Sequence, residues 1–165
     1  MAAINLKTAS DADLRYALDL LTADYVHALD DGDLDRWPDF FTEDCVYKII
    51  PRENHENGWP LAVWSCEGRG MLRDRITAIR ETQLFAPRVL RHVTGNTLVR
   101  RRDRAALEAV TNYAVYESSL DRATEVFNVG RYLDRVVLDG GRLKFAEKLC
   151  VFDNSVIPTS LIYPI

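Results

Sequence analysis

Histidine and cysteine are scarce in this chain, three of each in 165 residues. His27, His55 and His92 do not stand at helical ligand spacing, and no Cys-x-x-Cys occurs, so the usual zinc patterns are absent. A Rieske iron–sulfur centre needs two Cys and two His in paired motifs. A mononuclear non-haem iron needs two His and a carboxylate. This chain cannot assemble both. Cys45, Cys66 and Cys150 are odd in number and widely spaced, which points to reduced thiols in a cytoplasmic protein rather than a disulfide framework. There is no Gly-x-Ser-x-Gly elbow, and Gly68-Arg69-Gly70 lacks the Gly-Lys pair of a phosphate loop. The opening MAAINLKTASDADL has no long apolar run, so it reads as neither signal peptide nor membrane span. Positive charge is not in excess: 21 Lys and Arg stand against 25 Asp and Glu, a net charge of −4. Nothing general in that balance attracts nucleic acid or anionic lipid. The local basic run Arg100-Arg101-Arg102, with Arg104, has no interleaved aromatics and reads as a solvated hairpin tip or an ion-pairing subunit contact.

What is present describes one α+β domain over residues 1–165. A chain of this length buries roughly 70% of the surface its unfolded form exposes, enough for a real core. Leu14, Ala17, Leu18, Leu21, Tyr25, Ala28 and Leu29 recur at three- and four-residue steps, an amphipathic helix. Ser10 and Asp13 resemble a capping box, and Gly32 suits the left-handed stop. Asp33 is placed to cap a short second helix carrying Trp37, Phe40 and Phe41, so that helices occupy about 10–42. Residues 45–50 read as a strand ended by Pro51, residues 52–60 as a polar loop, and residues 61–66 as a returning strand. A third helix over 68–81 carries Met71, Leu72, Ile76 and Ile79 on one side. Residues 85–90 read as a connecting loop. Four long strand candidates follow as a meander over about 91–153, joined by short polar turns that include Asp139-Gly140-Gly141. An apolar tail over 154–165 completes the domain.

Helices first and strands last give an α+β class. A long twisted meander curls, and the helices can pack into its concave face. The result is a cone of the nuclear-transport-factor-2-like (cystatin-like) type, with a mainly antiparallel sheet. Its interior either holds a ligand or is filled. Trp37, Phe40, Phe41 and Tyr47 read as core that plugs it.

Acid–base chemistry in such an interior has candidates in Tyr25, His92, Tyr113 and Asn128. Glu147 shares strand parity with Leu143, Phe145, Leu149 and Val151, so it interrupts an apolar face. It is a raised-pKa carboxyl, an ion-pair partner of Arg131 or Arg135, or an exposed residue beside a bulge. Glu53, His55 and Glu56 cluster in the polar loop and read as a solvated or interface-facing segment. Val156-Ile157-Pro158 and residues 161–165 are unusually apolar, and pack either on their own domain or against another subunit.

Taken in order, Leu29-Asp30, Trp37, Phe40-Phe41, Asp44, Tyr47 and Pro51-Arg52-Glu53-Asn54 resemble the small (beta) subunit of bacterial aromatic-ring-hydroxylating, Rieske-type dioxygenases. Arg69-Gly70-Met71-Leu72 with Asp74-Arg75, Arg91-His92 with Asn96, Gly130-Arg131-Tyr132 with Asp134, and Asp153-Asn154 continue the resemblance. The Asn54-His55-Glu56 loop is most similar to subunits acting on carboxylated aromatics such as benzoate, salicylate, anthranilate or terephthalate. The resemblance implies a cone-shaped, mainly structural chain with no catalytic, cofactor-binding or metal residues of its own. It implies a large alpha subunit holding a Rieske [2Fe-2S] cluster and mononuclear Fe(II), usually in an α3β3 assembly. Electrons would come from NADH through a reductase, in some members with a ferredoxin. The expected subunit interface takes in Arg52, Glu53, Asn54, His55, Leu161, Tyr163 and Ile165. The rival readings are a free-standing isomerase or dehydratase and a ligand-binding protein of the same fold.

Overall fold

Helix α1, Asp11–Asp30, begins at a complete capping box in which the Ser10 hydroxyl accepts from the Asp13 N–H and the Asp13 carboxylate reaches back to the Ser10 N–H. It stops before Gly32, which holds the left-handed φ of 72° that ends the helix without a Cβ penalty. The structure is a computed structural model and describes residues 5, 6, 8–82, 85–102 and 105–165. The tip between the third and fourth strands, with Arg104, lies outside the described residues.

The second helix is a 3₁₀ turn, Leu34–Phe40, and Asp33 makes no side-chain cap. Asp33 instead lies 4.0 Å from Arg36. Pro38 lies within this helix; the 3₁₀ pattern tolerates it because short tight turns carry few backbone bonds to lose. Phe41 opens strand β1, Phe41–Pro51, four residues earlier than the sequence suggests. The polar segment after Pro51 is a short helix α2, Arg52–Glu56, rather than a loop. Strand β2, Trp64–Glu67, pairs antiparallel with β1. Helix α3, Gly68–Glu81, buries Leu72, Ile76 and Ile79, whereas Met71 turns outward. The meander is β3 (Arg88–Arg102), β4 (Ala106–Ser119), β5 (Glu125–Asp139) and β6 (Arg142–Phe152). β3 starts inside the segment that reads as a loop, because Pro87 precedes the ladder and Arg88 already pairs with Ser119. Gly140 and Gly141 take the positive φ values, 58° and 79°, that the tight β5–β6 turn requires.

The six strands form one curved mixed sheet in the order β2-β1-β6-β5-β4-β3, with β1–β6 the parallel pair. α1 packs across it and contacts β3 and β6, so the fold is the nuclear-transport-factor-2-like cone. Gly130 marks where β5 and β6 press together: a Cβ there would collide with the Val151 carbonyl oxygen.

Bulges set which side chains enter the cone. On β5 the register passes from Val115↔Asn128 to Tyr116↔Val126, leaving Phe127 extra, and both Phe127 and Asn128 are buried. On β6 the register passes from Arg135↔Glu147 to Val136↔Phe145, leaving Ala146 extra. Inward parity therefore switches from Phe145 to Lys148, Cys150 and Phe152. Lys148 is fully buried. Its Nζ lies 3.1 Å from both carboxylate oxygens of Asp134 and 3.6, 4.3 and 4.7 Å from the ring centroids of Tyr132, Phe145 and Tyr25. Burial pushes the Asp134 carboxyl up, and the Lys148 charge opposes that shift. Around this pair Trp37 meets Tyr47 and Phe41 edge-on at 5.2 and 6.1 Å, with all three rings fully buried. Phe40 is only partly buried.

Two outcomes test this core. Trp37→Ala costs about 3–5 kcal/mol in chemical denaturation, as loss of a buried large aromatic does; a cost below about 1 kcal/mol, the range of surface changes, removes Trp37 from the core. Asp134→Asn strands a buried charge and costs about 3–5 kcal/mol, whereas Asp134→Leu with Lys148→Met recovers most of that loss. Equal losses in the single and double variants would show that the pair is not what that site requires.

Candidate functional site: the interior of the cone

Inward residues of α1, β1, β5 and β6 converge at residues 161–165. Ile165 is fully buried, and Pro164 and Ile162 are buried beside it. The Tyr25 hydroxyl donates to the main-chain oxygen of Ile165 at 2.8 Å, and the Tyr47 hydroxyl donates to the same oxygen at 3.0 Å. The Cys150 thiol approaches it at 3.2 Å, and the Ile165 N–H returns a bond to the Tyr47 oxygen at 2.9 Å. Burial holds the Tyr25 and Tyr47 hydroxyls well above their ordinary pKa, and pushes the Cys150 thiol up to about 12. All three are therefore protonated, neutral donors at physiological pH.

Further up the segment, Arg88 forms a second clamp. Its guanidinium pairs with Glu117 at 2.9 Å and donates to Thr159 Oγ1 at 2.5 Å and to the Ser160 carbonyl at 2.7 Å. The Arg88 and Glu117 side chains are both almost completely buried.

The sequence candidates separate on this map. Tyr25 lies at the centre. Tyr113 and Asn128 also face inward, where the Tyr113 hydroxyl donates to Asn128 Oδ1 at 2.6 Å and the Tyr113 ring stacks on Tyr132. His92 is buried but belongs to a different contact: its Nδ1–H donates to Asp30 at 2.6 Å, and its backbone N–H donates to the same carboxylate. That pairing fastens the C-terminal end of α1 to β3. Glu147 does not enter the cone. The Ala146 bulge turns it outward and half-exposed beside Arg135, and Arg131 approaches Glu56 at 3.8 Å instead. The residues missed in sequence are Lys148, Asp134, Tyr132 and Cys150, which form one inward cluster with Tyr47, a residue the sequence already places in the core. A bulge breaks strict alternation, so parity counted from Leu143 selects the wrong neighbour.

The segment after β1 forms a separate surface. Arg52 Nε donates to Asp153 at 2.7 Å, and Asn54 Nδ2 donates to the Leu61 carbonyl at 2.8 Å. Glu53 is exposed and His55 half-buried on α2, with Trp59, Leu61 and Val63 exposed nearby. Leu161 and Tyr163 are half-buried, and Tyr163 meets Phe85 edge-on at 5.3 Å. Ile165, expected at an interface, lies inside its own cone. Cys45 and Cys66 are buried and free, and burial pushes the Cys45 thiol up to about 11.

Among the described residues, no three His, Cys, Asp or Glu side chains are arranged to hold a metal ion, and no helix is long and apolar enough to cross a membrane. The donor sets that a Rieske cluster or a mononuclear iron requires are therefore not assembled among these residues.

Residues 25–159 match the family model described as ring hydroxylating beta subunit. The chain is 35% identical over 142 residues to the small subunit of anthranilate 1,2-dioxygenase from Burkholderia cepacia, covering 86% of this chain and 88% of that one. It is 32% identical over 143 residues to a beta subunit of the terminal oxygenase component of terephthalate 1,2-dioxygenase from Comamonas, covering 87% and 93%. A crystal structure assigned as the beta subunit of an aromatic-ring-hydroxylating dioxygenase from Novosphingobium aromaticivorans superposes with a TM-score of 0.85 at 34% identity, over 93% of this chain and 98% of that one. The chain belongs to the family of ring-hydroxylating dioxygenase beta subunits and is a component of an oxidoreductase complex of that kind.

Proposed function

We propose that the chain is the mainly structural small subunit of a Rieske non-haem iron oxygenase acting on a carboxylated aromatic compound during aromatic catabolism. The observation that carries the substrate class is that the curated relatives matched over 86–87% of the chain are named for anthranilate and terephthalate, both aromatic carboxylates. The Rieske [2Fe-2S] cluster and Fe(II) belong to the alpha subunit, which this chain supports in an α3β3 assembly. NADH supplies electrons through a reductase. Three buried free thiols suit a reducing cytoplasm. A cone interior filled by aromatic rings and residues 161–165 favours support over an independent isomerase or dehydratase, which needs room for substrate.

The proposed alpha-facing surface is α2 with the segment after it and the flank of the tail: Arg52, Glu53, Asn54, His55, Leu161 and Tyr163. Trp59 and Leu61, 51% and 73% exposed, stand beside α2 as apolar area that an assembly would cover.

The test is co-expression of the tagged chain with its large subunit. Co-elution as a hexamer is expected, with hydroxylation of benzoate, anthranilate or terephthalate by the pair plus reductase and none by the chain alone. Failure to associate, or turnover of an isomerase or dehydratase substrate by the isolated chain, overturns the reading. Within the assembly, the triple change Glu53→Lys, His55→Ala, Trp59→Ser lowers co-elution while the isolated chain keeps its stability to within about 0.5 kcal/mol per exposed site. Undiminished co-elution moves the interface elsewhere.

A further inference from the structure

The outer face of the sheet carries more apolar surface than a face in water needs. An antiparallel sheet with one solvated side alternates apolar-in with polar-out. Here the inward Thr111, Tyr113, Val115 and Tyr132 alternate with outward residues that are themselves largely apolar. The strand registers line these up in rows. Val93, Ala114 and Val129 form one row across β3, β4 and β5, and Leu98, Val110 and Leu133 form another. Val93 and Leu98 are 56% and 50% exposed, and the other four are partly exposed. Between the two rows runs a single polar one, Gly95, Asn112 and Arg131. The free edge of β3 is not the surface that calls for a partner. Register shifts between Gly95 and Leu98 and between Val99 and Arg101, with Asn96 at a left-handed φ of 57°, break its ladder. The surface left uncovered is the face.

We propose that, in the chain free of its large subunit, this face pairs with the same face of a second copy about a two-fold axis lying along the polar row. The face fits itself. On β4 the apolar residues stand two before and two after Asn112, and on β5 two before and two after Arg131. A copy turned over about that axis lays each apolar row on the other. Val93 meets Leu98, Ala114 meets Val110 and Val129 meets Leu133, the smaller side chain against the larger in each case. The strands of the two sheets are then nearly aligned, as face-to-face packing of twisted sheets favours. Asn112 lies on the axis, and an amide both donates and accepts, so two copies of it satisfy each other across the ~10 Å between packed sheets. Arg131 and Glu56 stand 3.8 Å apart within one chain. Two such pairs meeting at the axis alternate cation with anion and enclose no unmatched charge. The sheet curves around α1, so its outer face is convex, and α2, beside β1 and β6, diverges from the second copy. Such a contact is isologous and closes at two copies. It does not depend on the oxygenase reading, whose proposed surface adjoins this face at Glu56.

Light scattering on the isolated full chain at micromolar concentration should give twice the mass of one chain. Val93→Lys and Leu98→Lys change positions that are exposed in the single chain, so its fold, followed by near-ultraviolet circular dichroism, should persist. Each should weaken pairing at least about tenfold, because each encloses a charge without a partner. Asn112→Cys should be joined to its own copy by a short bismaleimide, whereas Tyr16→Cys, exposed on α1, should not. The native thiols are buried, and the unaltered chain under the same reagent is the control for them. A single-chain mass, a trimer, or a pair that neither lysine weakens overturns the proposal. So does a dimer in which Asn112→Cys fails to cross-link. A single-chain mass together with loss of large-subunit binding by Val93→Lys assigns the face to that subunit and overturns the proposal equally.

Discussion

A whole positive charge with no solvent exposure is the constraint on which the rest of this structure depends. Lys148 sits under three aromatic rings, and removing an ion of that size from water costs several kcal/mol unless it is matched. Asp134 matches it from the neighbouring strand, in direct register. That requirement fixes how β5 and β6 meet. If the Ala146 bulge were lost, strict alternation would bring Glu147 inward in place of Lys148, and two carboxylates would face each other with no cation. The pair is thus a register key: it stabilises little relative to an apolar substitute, but it makes the wrong pairing costly.

Tyr25 links this key to the other layers. Its ring closes one side of the lysine cage, while its hydroxyl holds the Ile165 oxygen. One residue of α1 therefore touches β5 and β6 through its face and residues 161–165 through its edge. Asp30, five residues further along the same helix, fastens α1 to β3 through His92. The C-terminal part of the helix is thus seated by two polar contacts buried within an otherwise apolar layer. Such contacts resist sliding in a way that non-directional hydrophobic packing does not.

Much of this fold is legible in the sequence, for local reasons. Ser10, Asp13 and Gly32 announce α1 because capping and left-handed termination depend on adjacent residues alone. The long strands announce themselves by β-branched and aromatic runs between Gly and polar turns. The departures share one cause, which is that non-local pairing overrides local pattern. Pro51 ends β1 as expected, yet the polar residues after it form α2, because Glu53 and Asn57 close a helical turn that polarity alone does not reveal. Parity points to Glu147 as the inward carboxylate, and a bulge transfers the inward position to Lys148. Tyr25 reads correctly as an interior residue, but its partner, 140 residues away, leaves no mark in the local pattern. The family resemblance is legible because it rests on the order of many weak motifs, each of which the fold places in a different element.

A supporting subunit and an enzyme make opposite demands on a cone. An enzyme must keep a cavity and tolerate unsatisfied groups inside it until substrate arrives. A supporting subunit presents a fixed outer surface, and that surface is only as rigid as the interior behind it. Here the interior is occupied by an ion pair, a ring cluster and a clamped segment, so α2 and β1 rest on a packed base, with the exposed Trp59 and Leu61 in the segment after α2. The residual donors at Tyr132 and Asn128 are the exception to that solidity. Tyr113 stacks on Tyr132 and donates to Asn128 Oδ1, so the ring packing that makes the base rigid also fixes these polar tips where no further acceptor among the described residues reaches them.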